Sequence, residues 1–196
     1  RISIVVAAFL ASPAVAQPLD LEVKARPIPH FMIASTQTTF GPFELVGGLE
    51  LTSGNADFGA ISAFRFRDDG VTMLSVSDNG FWVTGKIGRD AEGRPVTFAN
   101  ARIAPLSDRD GNAAEKKWLS DAEGLLVDGD QVSVWFERDH RISTGALDPE
   151  TFAYTFDNEP LPVPAREIRS NRGFETLAKP PAGTPLDGAR VAVTEK

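Results

Sequence analysis

The chain has 196 residues, of which 42% are hydrophobic, and this is enough to form a packed core. Its formal net charge is −7, which argues against nucleic acid as a partner because a protein surface that binds phosphate backbones is basic. Cysteine is absent, and this excludes disulfide bonds, a thiol nucleophile and a thiolate zinc site.

The N-terminal residues have the pattern of a secretory signal peptide. One basic residue precedes an apolar stretch over residues 2–11, and a small-residue A-V-A step follows. The apolar stretch is too short to span a bilayer as a permanent helix. We therefore expect a signal peptide over residues 1–16, with part of its basic region missing, and a mature chain that begins near Gln17. An ordinary N-terminal helix is the alternative, which Pro13 fits poorly. Export and the lack of a cysteine framework predict a periplasmic or secreted bacterial protein, with no stable membrane insertion after cleavage.

Short apolar runs separated by turn signals predict β-structure over most of the chain. A polar, Pro-containing stretch over residues 17–30 is expected to be a linker. After it, several segments have strand length and are rich in β-branched and aromatic residues, namely SAFRF, TMLSVS, QVSVWF, FAYTF and ARVAVT. Asp-Gly and Asn-Gly steps, which favour hairpin turns, lie between many of these segments. We therefore expect an all-β domain over residues 31–196, with one short helical turn in NAAEKKWLSDAEG.

Three segments of the chain share one pattern, in which an apolar strand, a turn containing Asp-Gly, a second apolar strand and a terminal acid follow one another. They are GAISAFRFRDDGVTMLSVSD from residue 59, DAEGLLVDGDQVSVWFE from residue 121 and GFETLAKPPAGTPLDGARVAVTE from residue 173. Their alignment makes Ser62, Glu123 and Glu175 equivalent. It also makes the terminal acids Asp78, Glu137 and Glu195 equivalent, at spacings of 59 and 58 residues. Such regular spacing indicates an internal repeat.

A repeat made only of strands indicates the blade of a β-propeller. A β-sandwich is the alternative, although that fold needs no internal period. We therefore expect a fragment of about three blades from a longer, roughly six-bladed ring that continues beyond Lys196. The early segment FELVGGLELTS is expected to close the ring against a C-terminal blade.

The repeated acids predict a metal site in the channel of such a propeller. A residue repeated at one blade position forms a ring around the axis, so the carboxylates converge and need a metal, protonation or arginine to offset their repulsion. Carboxylate oxygens suit Ca²⁺ or Mg²⁺. We expect Ca²⁺ to be held by five acids, which are Asp78, Glu123, Glu137, Glu175 and Glu195. Two alternatives stay open: the turn sequence SDNG by itself accounts for Asp78, and Arg138, Arg141 and Arg172 could neutralise the glutamates instead.

Other catalytic motifs are absent from the sequence. The nearest text to G-x-S-x-G is GAISAF, where Ala63 replaces the last glycine. His140 is the one histidine that a Ser-His-Asp triad could use, and no nucleophile accompanies it in the sequence. Trp82, Trp118 and Trp135 are expected to lie in blade cores or to line the channel.

Three groups of residues resemble the esterase-like phytase family. They are GAISAFRFRDDG with LSVSDNGFW, DAEGLLVDG with VWFERDHRI, and NRGFETLA with VAVTEK, and the resemblance runs from about Glu44 to Lys196. Where the family pattern reads G-G-L-S-G, this chain has the conservative variant G-A-I-S-A from Gly59 to Ala63. The resemblance implies a propeller fold, an envelope location and hydrolysis of a phosphate or carboxylic ester, with Ca²⁺ as the implied cofactor. It does not imply phytate as the substrate.

The resemblance, together with the repeated carboxylates, predicts a metal-dependent hydrolase that acts on a phosphoester within a small anionic or ester substrate. Glu123 and Glu175 would be catalytic, and Arg138 and Arg172 would bind the anionic oxygens in bidentate fashion. We expect a monomer. Two alternatives remain: a Ca²⁺-dependent lactonase-like propeller with a similar channel, and a non-catalytic ligand-binding or scaffold propeller whose glutamates and arginines pair and close the channel. The charge balance at the channel axis distinguishes these alternatives. Carboxylates without cationic partners predict a metal site, whereas one-to-one pairing of glutamates with arginines predicts a closed, non-catalytic channel.

Overall fold

The structure, a computed structural model, describes residues 17–107, 117–170 and 172–195. The expected signal peptide over residues 1–16 lies outside these ranges, as does the first part of the segment expected to hold a helical turn. A short 3-10 helix at Lys117–Leu119 falls in the described part of that segment, and a second one spans Ala165–Glu167. Among the described residues, no helix has the length and apolar character of a membrane span.

The described residues form β-strands and no α-helix, so the all-β prediction is confirmed. The first strands are β1 Leu19–Leu21, β2 Val23–Ile28, β3 Thr39–Phe40, β4 Phe43–Glu44, β5 Gly48–Ser53, β6 Ile61–Phe66, β7 Thr72–Ser77, β8 Phe81–Arg89 and β9 Pro95–Pro105. The later strands are β10 Ala122–Asp128, β11 Gln131–Phe136, β12 Arg141–Leu147, β13 Tyr154–Glu159, β14 Phe174–Ala178 and β15 Val191–Thr194. The predicted segments TMLSVS and QVSVWF coincide with β7 and β11.

Two antiparallel sheets form the body of the molecule. In the first sheet β6, β7, β8 and β9 pair in chain order, and β1 adds to β9 as a fifth strand. In the second sheet β10, β11, β12 and β13 pair in chain order. Two-stranded sheets join β14 to β15, β2 to β5 and β3 to β4. Pairing in chain order follows from tight turns, where Gly70, Gly80 and Gly129 adopt φ values of 67°, 84° and 62° that suit hairpins.

The two large sheets pack face to face, and the core consists of three apolar clusters, one between these sheets and one on the outer face of each. The largest cluster, which includes Leu74, Trp82, Leu125 and Val134, joins the first sheet to the second. The second cluster joins Leu126 and Trp135 of the second sheet to Phe174 and Leu177 of β14. The third cluster joins Met73 and Phe98 of the first sheet to Leu21, Val23, Ala25 and Leu51. Both large sheets are thus covered on two faces, which explains why β7 and β11 are continuous buried runs.

The N-terminal part of the chain differs from its prediction. The stretch over residues 17–30, expected to be a linker, contains β1 and β2. The segment FELVGGLELTS is divided between β4 and β5, and β5 pairs with β2. This pairing lets apolar side chains of both strands pack on the first sheet, which a solvated linker would not do.

Two smaller differences have local causes. The strand predicted at FAYTF begins at Tyr154, because Phe152 has φ 56° and its N–H bonds the carbonyl of Asp148 at 2.9 Å in a turn. Trp82 and Trp135 are buried, as expected of core residues, whereas Trp118 is 45% exposed.

Candidate metal centre

The three sequence repeats form the same bulged hairpin. In each hairpin the pairing of the first two strands shifts by one residue, between Ile61 and Ala63, between Ala122 and Gly124, and between Phe174 and Thr176. The residue left over at the shift is Ser62, Glu123 or Glu175, which the alignment of the repeats makes equivalent. A β-bulge bends its strand and re-aims the extra side chain. The repeat is therefore structural as well as sequential.

The backbone of each terminal acid is hydrogen-bonded to the residue just before the first strand of its own hairpin. The backbone N–H groups of Asp78, Glu137 and Glu195 donate to the carbonyls of Ala60, Asp121 and Gly173 at 3.0, 2.8 and 3.1 Å. In every repeat this acceptor lies two residues before the bulged residue. Strand β10 contacts both β6 and β14. The bulged ends of neighbouring hairpins thus face a shared region.

Glu137, Glu175 and Glu195 form a cluster at this region, which we call the glutamate triad. Each offers one carboxylate oxygen, and the three oxygens lie within 4.8 Å of one another. Glu137 is buried, and its Oε1 accepts a hydrogen bond from the backbone N–H of Gly173 at 3.0 Å. Glu175 and Glu195 are exposed. Three carboxylates from two neighbouring hairpins suit a hard cation such as Ca²⁺, which takes its remaining oxygen ligands from water, backbone or substrate.

The charges within the triad repel one another at Glu175. Partial burial raises the pKa of Glu175, and the negative charges of Glu137 and Glu195 raise it further. All of these effects disfavour the ionised form. A bound divalent cation would instead favour the ionised form of Glu175.

Glu123 lies beside the triad without being one of its members. Burial raises the pKa of Glu123 from 4.5 to about 7, and the charges of Glu175, Asp121 and Glu137 act in the same direction. A hydrogen bond with the Ser62 side chain opposes the rise. A carboxyl group with a pKa near neutrality can both accept and release a proton at physiological pH.

Asp78, the fifth expected ligand, is held elsewhere. Its Oδ2 lies 3.4 Å from Nζ of Lys117, in the connection between β9 and β10. The side chain of Asp78 is also one methylene shorter than those of the equivalent glutamates. Within the described residues, the structure thus brings together three of the five expected ligands, with Glu123 nearby and Asp78 outside the triad.

The arginines proposed to neutralise the glutamates have other contacts. Arg138 pairs through Nε with Oδ2 of Asp121 at 2.6 Å. Arg141 lies 3.7 Å from the ring centroid of Phe136 and donates to Asp139 and to the carbonyl of Leu119. Arg172 is exposed, and its backbone bridges to Arg169 just before Gly173. Neither Arg138 nor Arg141 therefore closes the site by pairing with the triad.

Sequence reasoning missed two residues of this region. Asp121 is 4% exposed and receives Arg138, and Ser62 interacts with Glu123. Alignment of the repeats holds a signal for Asp121, because the equivalent positions carry the uncharged residues Ala60 and Gly173. An acid that occurs at this position in only one of the three repeats indicates a role beyond the common fold.

Residues 56–195 match the sequence model of the Phytase-like family, which is described by the esterase-like activity of phytase. The chain belongs to this family. The match covers all three bulged hairpins and the glutamate triad, and it confirms the resemblance seen in the sequence. The description of the phytase-like family indicates an ester hydrolase. No curated protein and no solved structure matches the chain.

Proposed function

We propose that this phytase-like protein is an exported, metal-dependent hydrolase of phosphoesters, with Ca²⁺ held by Glu137, Glu175 and Glu195. The observation that carries this function is the approach of three carboxylate oxygens to within 4.8 Å of one another. The family description supports hydrolysis of an ester. When bound, a divalent cation would neutralise anionic substrate oxygens and lower the pKa of a water molecule.

The site belongs to a β-propeller in this proposal. Support comes from the two meanders, which pack face to face and are followed by the start of a third unit, and from the closeness of β6, β10 and β14. In a propeller such first strands line the central channel. The ring would continue with further blades, and the glutamate triad would face its axis.

The residues around the triad have distinct roles in this function. Glu123 would accept the proton of the attacking water as its oxygen bonds to phosphorus, and would give a proton to the ester oxygen as the bond between phosphorus and that oxygen breaks. Arg138 and Arg172 would bind the non-bridging oxygens of the phosphate. Glu175 and its triad partners would hold the cation rather than act on protons.

A carboxylic ester is the second candidate substrate. The interaction of the Ser62 side chain with Glu123 favours it, because a hydroxyl beside a base is the arrangement of an activated nucleophile. In this route Glu123 would take the proton of Ser62 as the hydroxyl oxygen bonds to the carbonyl carbon, and would give it to the alcohol that leaves as the ester C–O bond breaks. Water, deprotonated by Glu123, would then attack the acyl group, and Ser62 would leave with the returned proton as the acid is released. Replacement of Ser62 by alanine should then abolish hydrolysis of p-nitrophenyl acetate and leave that of p-nitrophenyl phosphate intact.

The N-terminal sequence and the net charge of −7 support a proposal about location and partners. We propose that the mature protein is a periplasmic or secreted monomer without stable membrane insertion and without nucleic acid as a partner. Its substrate is a small anionic ester.

The decisive experiment is thermal unfolding of the metal-stripped protein with and without millimolar Ca²⁺. We expect Ca²⁺ to raise the Tm by several degrees in the wild type and in Glu92→Gln, an exposed acid in the turn between β8 and β9. We expect no rise in the double variant Glu175→Gln and Glu195→Gln, because the ligand oxygens are lost. An unchanged Tm in the wild type with Ca²⁺, Mg²⁺ and Mn²⁺ would rule out the metal site and favour a non-catalytic channel.

A further inference from the structure

Asp121 is a buried carboxylate that holds two neighbouring parts of the site. Its carbonyl accepts the backbone N–H of Glu137 at 2.8 Å, and its carboxylate receives Nε of Arg138 at 2.6 Å. Only 6% of its side chain is exposed, whereas 51% of the Arg138 side chain is exposed. A buried charge of this kind is retained only when it is paired. Asp121 therefore fixes the backbone of a triad member and the orientation of the next side chain.

The fold does not require this ion pair. The first repeat has Ala60 and Asn79 at the positions of Asp121 and Arg138, and its hairpin makes the same backbone hydrogen bond, from Asp78 to Ala60 at 3.0 Å. The third repeat has Gly173 at the position of Asp121 and again makes this bond, from Glu195 at 3.1 Å. The same bulged hairpin thus forms without the aspartate.

The backbone beside the pair is also strained. Arg138 has φ 59°, in the left-handed region that residues with a Cβ seldom adopt. Asn79, the equivalent residue of the first repeat, does not have a positive φ. Strain at this position that an equivalent hairpin does without points to a functional use.

The position and the exposure of Arg138 indicate that the ion pair serves to bind an anion. Arg138 directly follows Glu137 of the glutamate triad, and about half of its side chain is accessible. A guanidinium group matches the geometry of phosphate oxygens, and its binding is stronger when its orientation is fixed beforehand. Nε lies against the Asp121 carboxylate while half of the side chain is accessible, so the exposed side of the guanidinium has room for an anion.

We propose that Asp121 is a positioning residue that holds the guanidinium of Arg138, the residue after Glu137 of the triad, as a binding site for the phosphate group of the substrate. The substrate role rests on the proposed function, whereas the phosphate site can be tested by binding alone. The pair is specific to the second repeat, so this phosphate site would occur there and not at the first repeat.

The test exchanges the second-repeat pair for that of the first repeat. The variant Asp121→Ala with Arg138→Asn copies Ala60 and Asn79, and asparagine tolerates the left-handed backbone at position 138. Binding of inorganic phosphate is measured by calorimetry in the intact protein, with no metal and with Ca²⁺ too dilute to precipitate. We expect the Kd for phosphate to rise at least tenfold. The Ca²⁺-induced rise in Tm should persist, because the three triad ligands are unchanged.

Single variants separate positioning from a structural role. Arg138→Lys keeps the charge and should still weaken phosphate binding, because the ammonium group lacks the planar fork. Asp121→Asn keeps the shape of the side chain and should raise the Kd for phosphate and the KM for p-nitrophenyl phosphate more than it lowers kcat. A merely structural role would lower the Tm and leave the Kd unchanged.

Two results would overturn the inference. One is a wild-type protein that binds no phosphate under either condition, and the other is a double variant that binds phosphate as tightly as the wild type. If the wild type binds phosphate through this pair but hydrolyses no phosphoester, the anion site stands and the proposed hydrolase function fails.

Discussion

Glu123 shows at the scale of one residue how the repeat generates unusual chemistry. The bulge turns its carboxyl group toward other acids, and partial burial brings its pKa to about 7. Serine occupies the equivalent position of the first repeat, so the strand geometry does not demand an acid there. The residue type at the bulge is free to vary with function because the backbone forms the bulge in every repeat.

The ionisation of Glu123 should make stability depend on pH. The pKa is about 7 in the folded protein and 4.5 as its ordinary value, so the folded state binds this proton more tightly than the unfolded state does. The free energy of unfolding therefore falls as the pH rises from about 4.5 to about 7. We expect Glu123→Gln to raise the Tm in EDTA at about pH 8 and to have little effect near pH 4. An equal change at both pH values would show that the carboxylate charge is not the cause.

Gly173 should control the metal affinity through Glu137. A Cβ at this position would lie 3.2 Å from Cγ of Glu137 and 3.3 Å from the ring of His140, so Gly173→Ala must displace the Glu137 carboxylate. We expect Ca²⁺ affinity to fall about tenfold, as is common for groups that orient metal ligands. Gly54→Ala, where a Cβ meets nothing within 4 Å, is the control. Equal Ca²⁺ titrations of the two variants by calorimetry would contradict this role.

At the scale of the elements, the meander sheets explain why the acids meet. Each hairpin places its bulge and its terminal acid at the same end, since the turn between its two strands lies at the other end. Packing of the second sheet on β14 then brings Glu137 beside Glu175 and Glu195. The site thus depends on the contact between sheets.

The interface between the two large sheets should dominate the stability of the fold. Leu125 of β10 is 0% exposed within the largest apolar cluster. We expect Leu125→Ala to lower the free energy of unfolding by about 2–5 kcal/mol, because it removes buried methyl groups and leaves a cavity. Leu186→Ala, at a residue that is 55% exposed, should change it by less than about 0.5 kcal/mol. Denaturant unfolding measures both values, and a similar loss in the two variants would contradict this account of the core.

At the scale of the whole molecule, the acidic character of the chain agrees with a protein that binds a cation. The net charge is −7, and part of it is concentrated in the carboxylates of neighbouring hairpins. A cation bound there would also bind an anionic substrate that an acidic surface otherwise repels.

Removal of the expected signal peptide should determine the N-terminus of the mature protein. We expect mass spectrometry of the protein purified from its natural envelope fraction to find an N-terminus at or near Gln17. The reason is that the apolar stretch and the A-V-A step match the sequence pattern of a signal peptidase site. Peptides from residues 1–16 in the purified protein would contradict cleavage, and recovery from the cytosolic fraction would contradict export.

The local pattern of the sequence determined the strand class, most turns and the equivalence of Ser62, Glu123 and Glu175. It also placed Asp78, Glu137 and Glu195 at one structural position. These features depend on strand periodicity, turn chemistry and repetition, which act over a few residues and can be read along the chain. The pairing of β2 with β5 could not be predicted in this way, since 19 residues of intervening chain separate the two strands.

Only the tertiary structure decided which of the repeated acids meet. Asp78 lies beside Lys117 and outside the triad. Arg138 pairs with Asp121, and Arg141 contacts Phe136 and Asp139. Each of these three contacts depends on the length of a side chain and on the distance between the two segments that it joins. The sequence by itself therefore determined that this protein carries repeated carboxylates on a β-fold. The packing of the sheets determined that three of them form one site, because convergence is a property of distances between elements and not of spacing along the chain.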